Sequence, residues 1–371
     1  MKSKLGQLMI IGISGSALTE EEKSFIVSND IGGVVLFGRN LIEPRQVWEL
    51  CESLRSLNPQ LSAPLFIGID MEGGRVHRLK PPFTQWPPLK RLGDIDNPTV
   101  SFHFAYGMAL ELRAIGINLD FAPCVDIFNN PANTVIGDRS IGNNPSLVER
   151  HASSLVRGYI KGGIVCCAKH FPGHGHTLAD SHYELPIEDL DLKRLHSVEL
   201  VPFKKVIRSK TDLIMTSHIL FRRIDPQYPV TLSSRFLQDL LRKELRFKGL
   251  IVSDDLDMKA LVANFDRNQI PLLALQAGVD ILLYCNEPEM PLQALNSIHA
   301  TYMDDREFRS QIDEKIHRII KFKSDRLQGA FPLPYEEALK IIGCQEHRLF
   351  AHDVALGIEP KKLLLERDSS Q

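Results

Sequence analysis

Short apolar runs alternate with longer amphipathic stretches along this chain of 371 residues, and that rhythm constrains its fold more than any other feature. The runs cover residues 8–13, 34–37, 64–69, 118–125, 164–168, 212–215, 249–252 and 279–283. Between them, residues 44–57, 100–115, 147–161, 190–207 and 233–245 place apolar side chains at helical spacing. Thr19, followed by Glu20–Glu22, marks the start of a further short helix. Strand, helix, strand in succession means parallel pairing through right-handed crossovers, which leaves an open doubly wound sheet or a closed eight-stranded barrel. Eight units favour closure. So do the polar residues that end the runs: Asp70 and Glu72, Asp126, Lys169 and His170, Ser217 and His218, Asp254 and Asp255. A (β/α)8 barrel gathers strand ends at one face, where its chemistry takes place, whereas an open sheet scatters several of them. The expected architecture is one (β/α)8 TIM-type barrel over residues 1–328, closed by helices at 288–301 and 305–325. An extension over 329–371 follows, in which residues 335–342 form a helix stopped by Gly343.

Composition narrows the partner. With 44 basic against 46 acidic residues and a net charge of −2, nothing draws the chain to nucleic acid or to an anionic membrane surface. A neutral or modestly charged small molecule is the expected ligand. Lys2 and Lys4 ahead of an apolar run imitate a secretion signal, but that run is too short and Gly6 and Gln7 interrupt it. No apolar stretch approaches the ~20 residues needed to span a bilayer. The six cysteines show no CxxC spacing, which predicts reduced thiols and a cytoplasmic setting.

Three stretches carry candidate chemistry. In IGIDMEGGRVHR, Gly73 and Gly74 allow a sharp turn that brings Asp70, Arg75 and Arg78 towards one pocket, where acceptor and donor together can hold a diol; the plainer reading is a pair that fastens the loop. In GLIVSDDLDM, Asp254 ends a strand, a good position for a nucleophile or base. Asp255 points the other way by strand parity, and it or Asp257 serves equally well as a helix cap. The third stretch, KHFPGHGHTLADSH at 169–182, is a strand delivering a glycine-containing, mobile loop with four histidines. As a metal site, His170, His174, His176 and His182 would ligate zinc with Asp180 behind them, although the spacing matches no familiar zinc signature. As an acid/base device, Asp180 orients His182 and favours its protonated form. His174 and His176 then fall to local loop hydrogen bonding.

Together with GDRSIG at 137–142, KSKLGQLMIIGISG and GGVVLFGRN, these motifs resemble the bacterial β-N-acetylglucosaminidases of glycoside hydrolase family 3 that act in peptidoglycan recycling, over residues 4–290 and in the same order. The resemblance implies a barrel that needs no metal or other cofactor. It makes Asp254 the catalytic nucleophile and His182, assisted by Asp180, the general acid/base, because the second domain that supplies the acid in larger family members is lacking here. It puts Asp70, Arg78, Arg139, Lys169 and His170 on substrate-binding positions and implies N-acetylglucosaminyl-anhydromuropeptide as the small carbohydrate substrate. His176 departs from the pattern at a position without catalytic work, and the tail beyond residue 328 is longer than in single-domain members. A phosphorylase with the same residues, a metal-dependent barrel hydrolase and a catalytically silent sugar-binding protein are the competing readings.

Overall fold

The computed structural model describes residues 4–178, 180–181, 183–327, 329 and 332–364. The apolar runs become the strands of a closed parallel barrel: β1 (Met9–Gly12), β2 (Gly33–Leu36), β3 (Phe66–Ile69), β4 (Leu119–Asp120), β5 (Val165–Phe171), β6 (Leu213–Thr216), β7 (Leu250–Asp255) and β8 (Ile281–Tyr284). Each strand pairs with its neighbour in the chain, and the barrel closes where Ile10 of β1 lies between Gly33 of β2 and Leu283 of β8. Strands β2, β3, β6 and β8 are buried along their whole length, covered by helices outside and by one another inside. That two-sided burial is why they read as unbroken apolar runs. Thr19 forms the expected cap of the helix Glu20–Asn29, exchanging hydrogen bonds with Glu22 in a capping box.

Departures from the sequence reading have local causes. β4 is shorter than its apolar run because Pro123 has no N–H to donate to a ladder. β5 is longer: Val125 donates to the Lys169 carbonyl and Ser217 to the Phe171 carbonyl, so Lys169 and His170 belong to the strand rather than to the loop after it. The helix expected over 190–207 is two helices, Leu192–Ser197 and Leu200–Arg208, since Pro202 cannot donate to the carbonyl of Val198. The stretch Arg235–Glu244 winds as a wide π-type helix.

The segment after the last barrel helix, Arg306–Arg326, folds back onto the helices that flank β3 and β4. Tyr335–Ala338 is helical, with turns continuing to Gly343 at a φ of 53°, where a side chain would strike the Pro82 carbonyl. The chain then forms a helix the sequence reading did not anticipate, Gln345–Ala355, which buries His347, Phe350, Ala351 and Val354. Phe350 and His347 pack on Trp86, and His347 Nδ1 meets Glu111 Oε1 at 2.8 Å on the helix Pro98–Ala114. Glu111 also accepts from the backbone and hydroxyl of Thr84, tying this tail to the loop after β3.

Burial acts to lower the pKa of His347, but the Cys344 and Glu111 side chains outweigh it and raise the value from 6.5 to about 9. A raised value means that the folded state holds the proton more tightly than the unfolded state. The contribution is therefore complete below pH 6.5 and disappears as the pH climbs through 9. At 1.36 kcal/mol per unit it is on the order of 3 kcal/mol. Denaturant titrations on either side of this window should show the native protein losing that much more stability than His347→Gln; equal losses would remove His347 as the cause.

Candidate active site

The strand ends meet in a cavity of about 420 Å³, within the size range of small-molecule sites. Asp70, Arg78, Arg139, Lys169, His170 and Asp254 all line it. Asp70 follows β3, and the chain then turns back through Gly73 and Gly74 at φ values of 95° and 57°. At Gly73 a Cβ would lie 2.4 Å from the Pro87 carbonyl, so only glycine permits the turn.

Glu72 organises this side of the pocket. It is 1% exposed and receives both Nε and an Nη of Arg139 at 2.8 Å, while Lys169 Nζ sits 2.7 Å from its Oε1 and 2.6 Å from Asp70 Oδ1. Burial opposes ionisation of Glu72, but the charges of Arg139 and Lys169 overcome it and hold its pKa far below the ordinary carboxylate range. Burial likewise opposes protonation of Lys169, and Asp70 and Glu72 push its pKa up regardless. The result is a chain of two cations and two carboxylates, with Asp70 at its more accessible end. Such an array can hold vicinal hydroxyls with both donors and acceptors.

His170 is fixed by Asp126. The buried carboxylate lies 2.7 Å from His170 Nδ1 and accepts from the backbone N–H groups of His170 and His174. Burial works against its charge, yet the adjacent imidazole and these donors bring Asp126 to about 2. Nε2 of His170 is left on the Arg139 side, 3.3 Å from the guanidinium. Cys124, Asp126 and His170 bring ligand-type atoms within 4.8 Å of one another, but Asp126 already accepts this set of hydrogen bonds. Among the described residues the histidines of the zinc reading do not converge: His176 turns out to Glu188 at 2.8 Å, while His174 is buried against Thr177 and Ser181.

Asp254, near the end of β7, is half-buried and accepts from the Asp255 backbone through Oδ1. Asp255 also reaches the cavity wall, contrary to simple strand parity, yet it is occupied by the backbone N–H groups of Asp257 and Cys285 and by Asn286. Burial raises its pKa to about 6. Two expected pocket residues do other work. Arg75 leaves the site to bind the carbonyls of Thr134, Val135 and Ile136, and so fastens a loop. At the end of β6, His218 is fully buried and joins Thr231 to the Asp255 carbonyl.

The loop after β5 is pinned in its first half, against the expectation of mobility there. Asn133 holds the His174 carbonyl, Asn130 holds that of His176, and a Cβ on Gly175 would lie 1.8 Å from the Ile127 carbonyl. Further on, Asp180 begins a turn whose carbonyl accepts from Tyr183 and Glu184, and Ser181 lines the cavity. His182 lies outside the described residues. The Ser181 carbonyl accepts from the Ala260 backbone at 3.2 Å, and Lys259 lies over the Tyr183 ring, so this loop is joined to the one following β7. The sequence reading assigned no role to Glu72 or Asp126, although both stood among the polar strand ends.

A model of the glycosyl hydrolase family 3 N-terminal domain matches residues 1–322. Among curated proteins, a beta-hexosaminidase of Nitrosomonas eutropha is 39% identical over 300 residues, spanning 79% of this chain and 84% of that one. Among solved structures, the family 3 β-N-acetylglucosaminidase of Paenibacillus sp. str. FPU-7 superposes with a TM-score of 0.90 at 34% identity, covering 96% of this chain and 68% of that one. NagZ from Neisseria gonorrhoeae, in complex with N-trifluoroacetyl-D-glucosamine, gives a TM-score of 0.77 at 30% identity, covering 94% of this chain and 97% of that one. The chain belongs to glycosyl hydrolase family 3 and is a glycoside hydrolase acting on a small carbohydrate.

Proposed function

We propose that this chain is a retaining, exo-acting β-N-acetylglucosaminidase that removes non-reducing terminal N-acetylglucosamine from peptidoglycan-derived muropeptides in the cytoplasm. The observation that carries the reading is the shared pocket: Asp254 stands across the barrel mouth from the array of Asp70, Glu72, Lys169, Arg139 and His170. That array, with Arg78, holds the sugar hydroxyls. Asp254 attacks the anomeric carbon and forms a glycosyl ester as the bond to the leaving oxygen breaks. His182, oriented by Asp180, gives that oxygen its proton. Water then loses a proton to the same imidazole and attacks the anomeric carbon of the ester; the bond from that carbon to the Asp254 oxygen breaks, which restores the carboxylate and releases the sugar with its β configuration retained. Relatives named for hexosaminidase or N-acetylglucosaminidase activity support the substrate class. No helix among the described residues is long and apolar enough to cross a membrane, and the cysteines are free thiols, which suits the proposed location.

Incubation with N-acetylglucosaminyl-anhydromuropeptide, followed by NMR of the first product, tests the whole reading. β-N-acetylglucosamine is the expected product. The α anomer would overturn retention, and a sugar 1-phosphate formed when phosphate is supplied would make the chain a phosphorylase. Proton donation has its own signature: His182→Ala should lower kcat/KM on an alkyl glycoside by about 10³-fold, while a nitrophenyl glycoside, whose leaving group needs little protonation, loses about tenfold or less. Equal losses on both would remove His182 from the acid role.

A further inference from the structure

Outside the sugar pocket, the tail helix pairs a nucleophile with a base. Cys344 stands at the N-terminus of the helix Gln345–Ala355 and is partly exposed, whereas Cys51, Cys124, Cys166, Cys167 and Cys285 are all buried. Its side chain is hydrogen-bonded to that of His347, one turn into the same helix. The His347 ring is buried, and its Nδ1 meets Glu111 Oε1 at 2.8 Å. Glu111 is held in turn by the Thr84 backbone N–H at 3.1 Å and by the Thr84 hydroxyl. Thiol, imidazole and carboxylate therefore follow one another as a nucleophile, its base and the group that orients the base do.

The surroundings favour a thiolate. Burial by itself raises the pKa of each cysteine, and at the other five it prevails. At Cys344 the hydrogen bond and charge of His347 outweigh burial, and the thiol falls below its usual value. His347 rises to about 9 in return, as expected of a pair that favours thiolate and imidazolium. A helix N-terminus and a neighbouring imidazolium are the two settings that most often activate a cysteine. The chain supplies no second accessible thiol to answer it, since the other five are buried. A partner sulfur has to come from outside. It has to be small as well, because the thiol is only partly exposed and lies next to the turn where Gly343 packs on the Pro82 carbonyl.

We propose that Cys344 is a site of reversible thiolation by small disulfides, with His347 as its proton partner. The Cys344 thiolate attacks one sulfur of the disulfide, and a new S–S bond forms as the old one breaks. The second sulfur leaves as a thiolate and takes the proton of the His347 imidazolium. Cys344 is oxidised to the mixed disulfide, the departing half of the reagent is reduced to a thiol, and no further oxidant is needed. An excess of small thiol runs the exchange backwards.

Bis(2-hydroxyethyl) disulfide is the probe, with intact mass and peptide mapping of the full chain as the readout. At about pH 6 Cys344 should react at least about tenfold faster than the cysteine of an unfolded peptide spanning residues 340–349, whose thiol is almost wholly protonated there. The adduct should map to Cys344, disappear in Cys344→Ser and be removed by dithiothreitol. His347→Gln should bring the rate down to that of the peptide and move the acid limb of the rate–pH profile upward. As the adduct forms, the NMR titration midpoint of His347 should fall from about 9 towards 6.5, because the ring loses one of the groups that hold its proton. A native rate no greater than that of the peptide, or a first adduct at another cysteine, would overturn the proposal. So would a rate that survives His347→Gln, or a His347 midpoint that stays where it was. The comparison with the peptide uses the native chain and decides the matter even where a variant fails to fold.

Discussion

Asp254→Asn should abolish turnover of an aryl β-N-acetylglucosaminide, lowering kcat by about 10⁴-fold or more, which is over 5 kcal/mol of transition-state stabilisation. The substitution keeps the shape of the side chain and the bond from the Asp255 backbone to Oδ1, so the strand end should hold its geometry. What disappears is the charge that forms the ester. A structural role alone would leave activity within about tenfold and lower thermal stability instead. Azide makes the test chemically specific. Supplied to Asp254→Gly, it can enter the space left by the carboxylate and attack from the same face, giving an α-glycosyl azide. If Asp254 instead activated a water molecule, azide would restore no such product, and the nucleophile would have to be sought elsewhere.

The second large effect is expected at a residue that need not touch the substrate. Glu72→Gln retains the size of the side chain but removes the charge that Arg139 and Lys169 share. Breaking a buried ion pair by changing one partner typically costs about 3–5 kcal/mol, because the remaining charge stays buried without compensation. Lys169 keeps Asp70, so the lower end of that range is the expectation in a denaturant titration. kcat/KM should also fall by about 10²-fold, a cost near 3 kcal/mol, as both cations lose their fixed positions around the sugar. The folded-state pKa of Glu72 is depressed, so its contribution is complete above pH 4.5 and fades as the pH falls below that value. The stability gap between native protein and variant should narrow in acid accordingly. A gap below about 1 kcal/mol at neutral pH would show that the network relaxes without Glu72.

Much of the fold was legible because buried parallel strands leave an apolar run that nothing else in the chain imitates. The closure of the barrel could be argued from the number of runs and the residues that ended them. Which side chains share one cavity was legible to a similar depth, their roles being proposals. Asp70, Lys169, His170 and Asp254 stand at or near strand ends, so position placed them at one face of the barrel, while the resemblance supplied their expected roles. What escaped was the work that depends on a partner far along the chain. Nothing near Glu72 announces Arg139 or Lys169, and nothing near Asp126 announces His170. Arg75 seemed as good a pocket residue as Arg78 until carbonyls 60 residues away claimed it. The tail helix was missed because its apolar face is short and includes His347, whose burial makes sense only beside Glu111. Pro202 was the one local signal that deserved more weight, since it divides a helix the hydrophobic spacing made continuous.

The backbone hydrogen bond from Ala260 to Ser181 joins the loop bearing Asp180 to the one that follows the Asp254 strand. Under the proposed mechanism the first loop brings the acid, and the second runs on from the strand that holds the nucleophile. Lifting the first loop away from the second must break that bond, so any motion that parts the two loops also parts the proposed acid from the nucleophile. Deuterium uptake at Ala260 would count the openings directly.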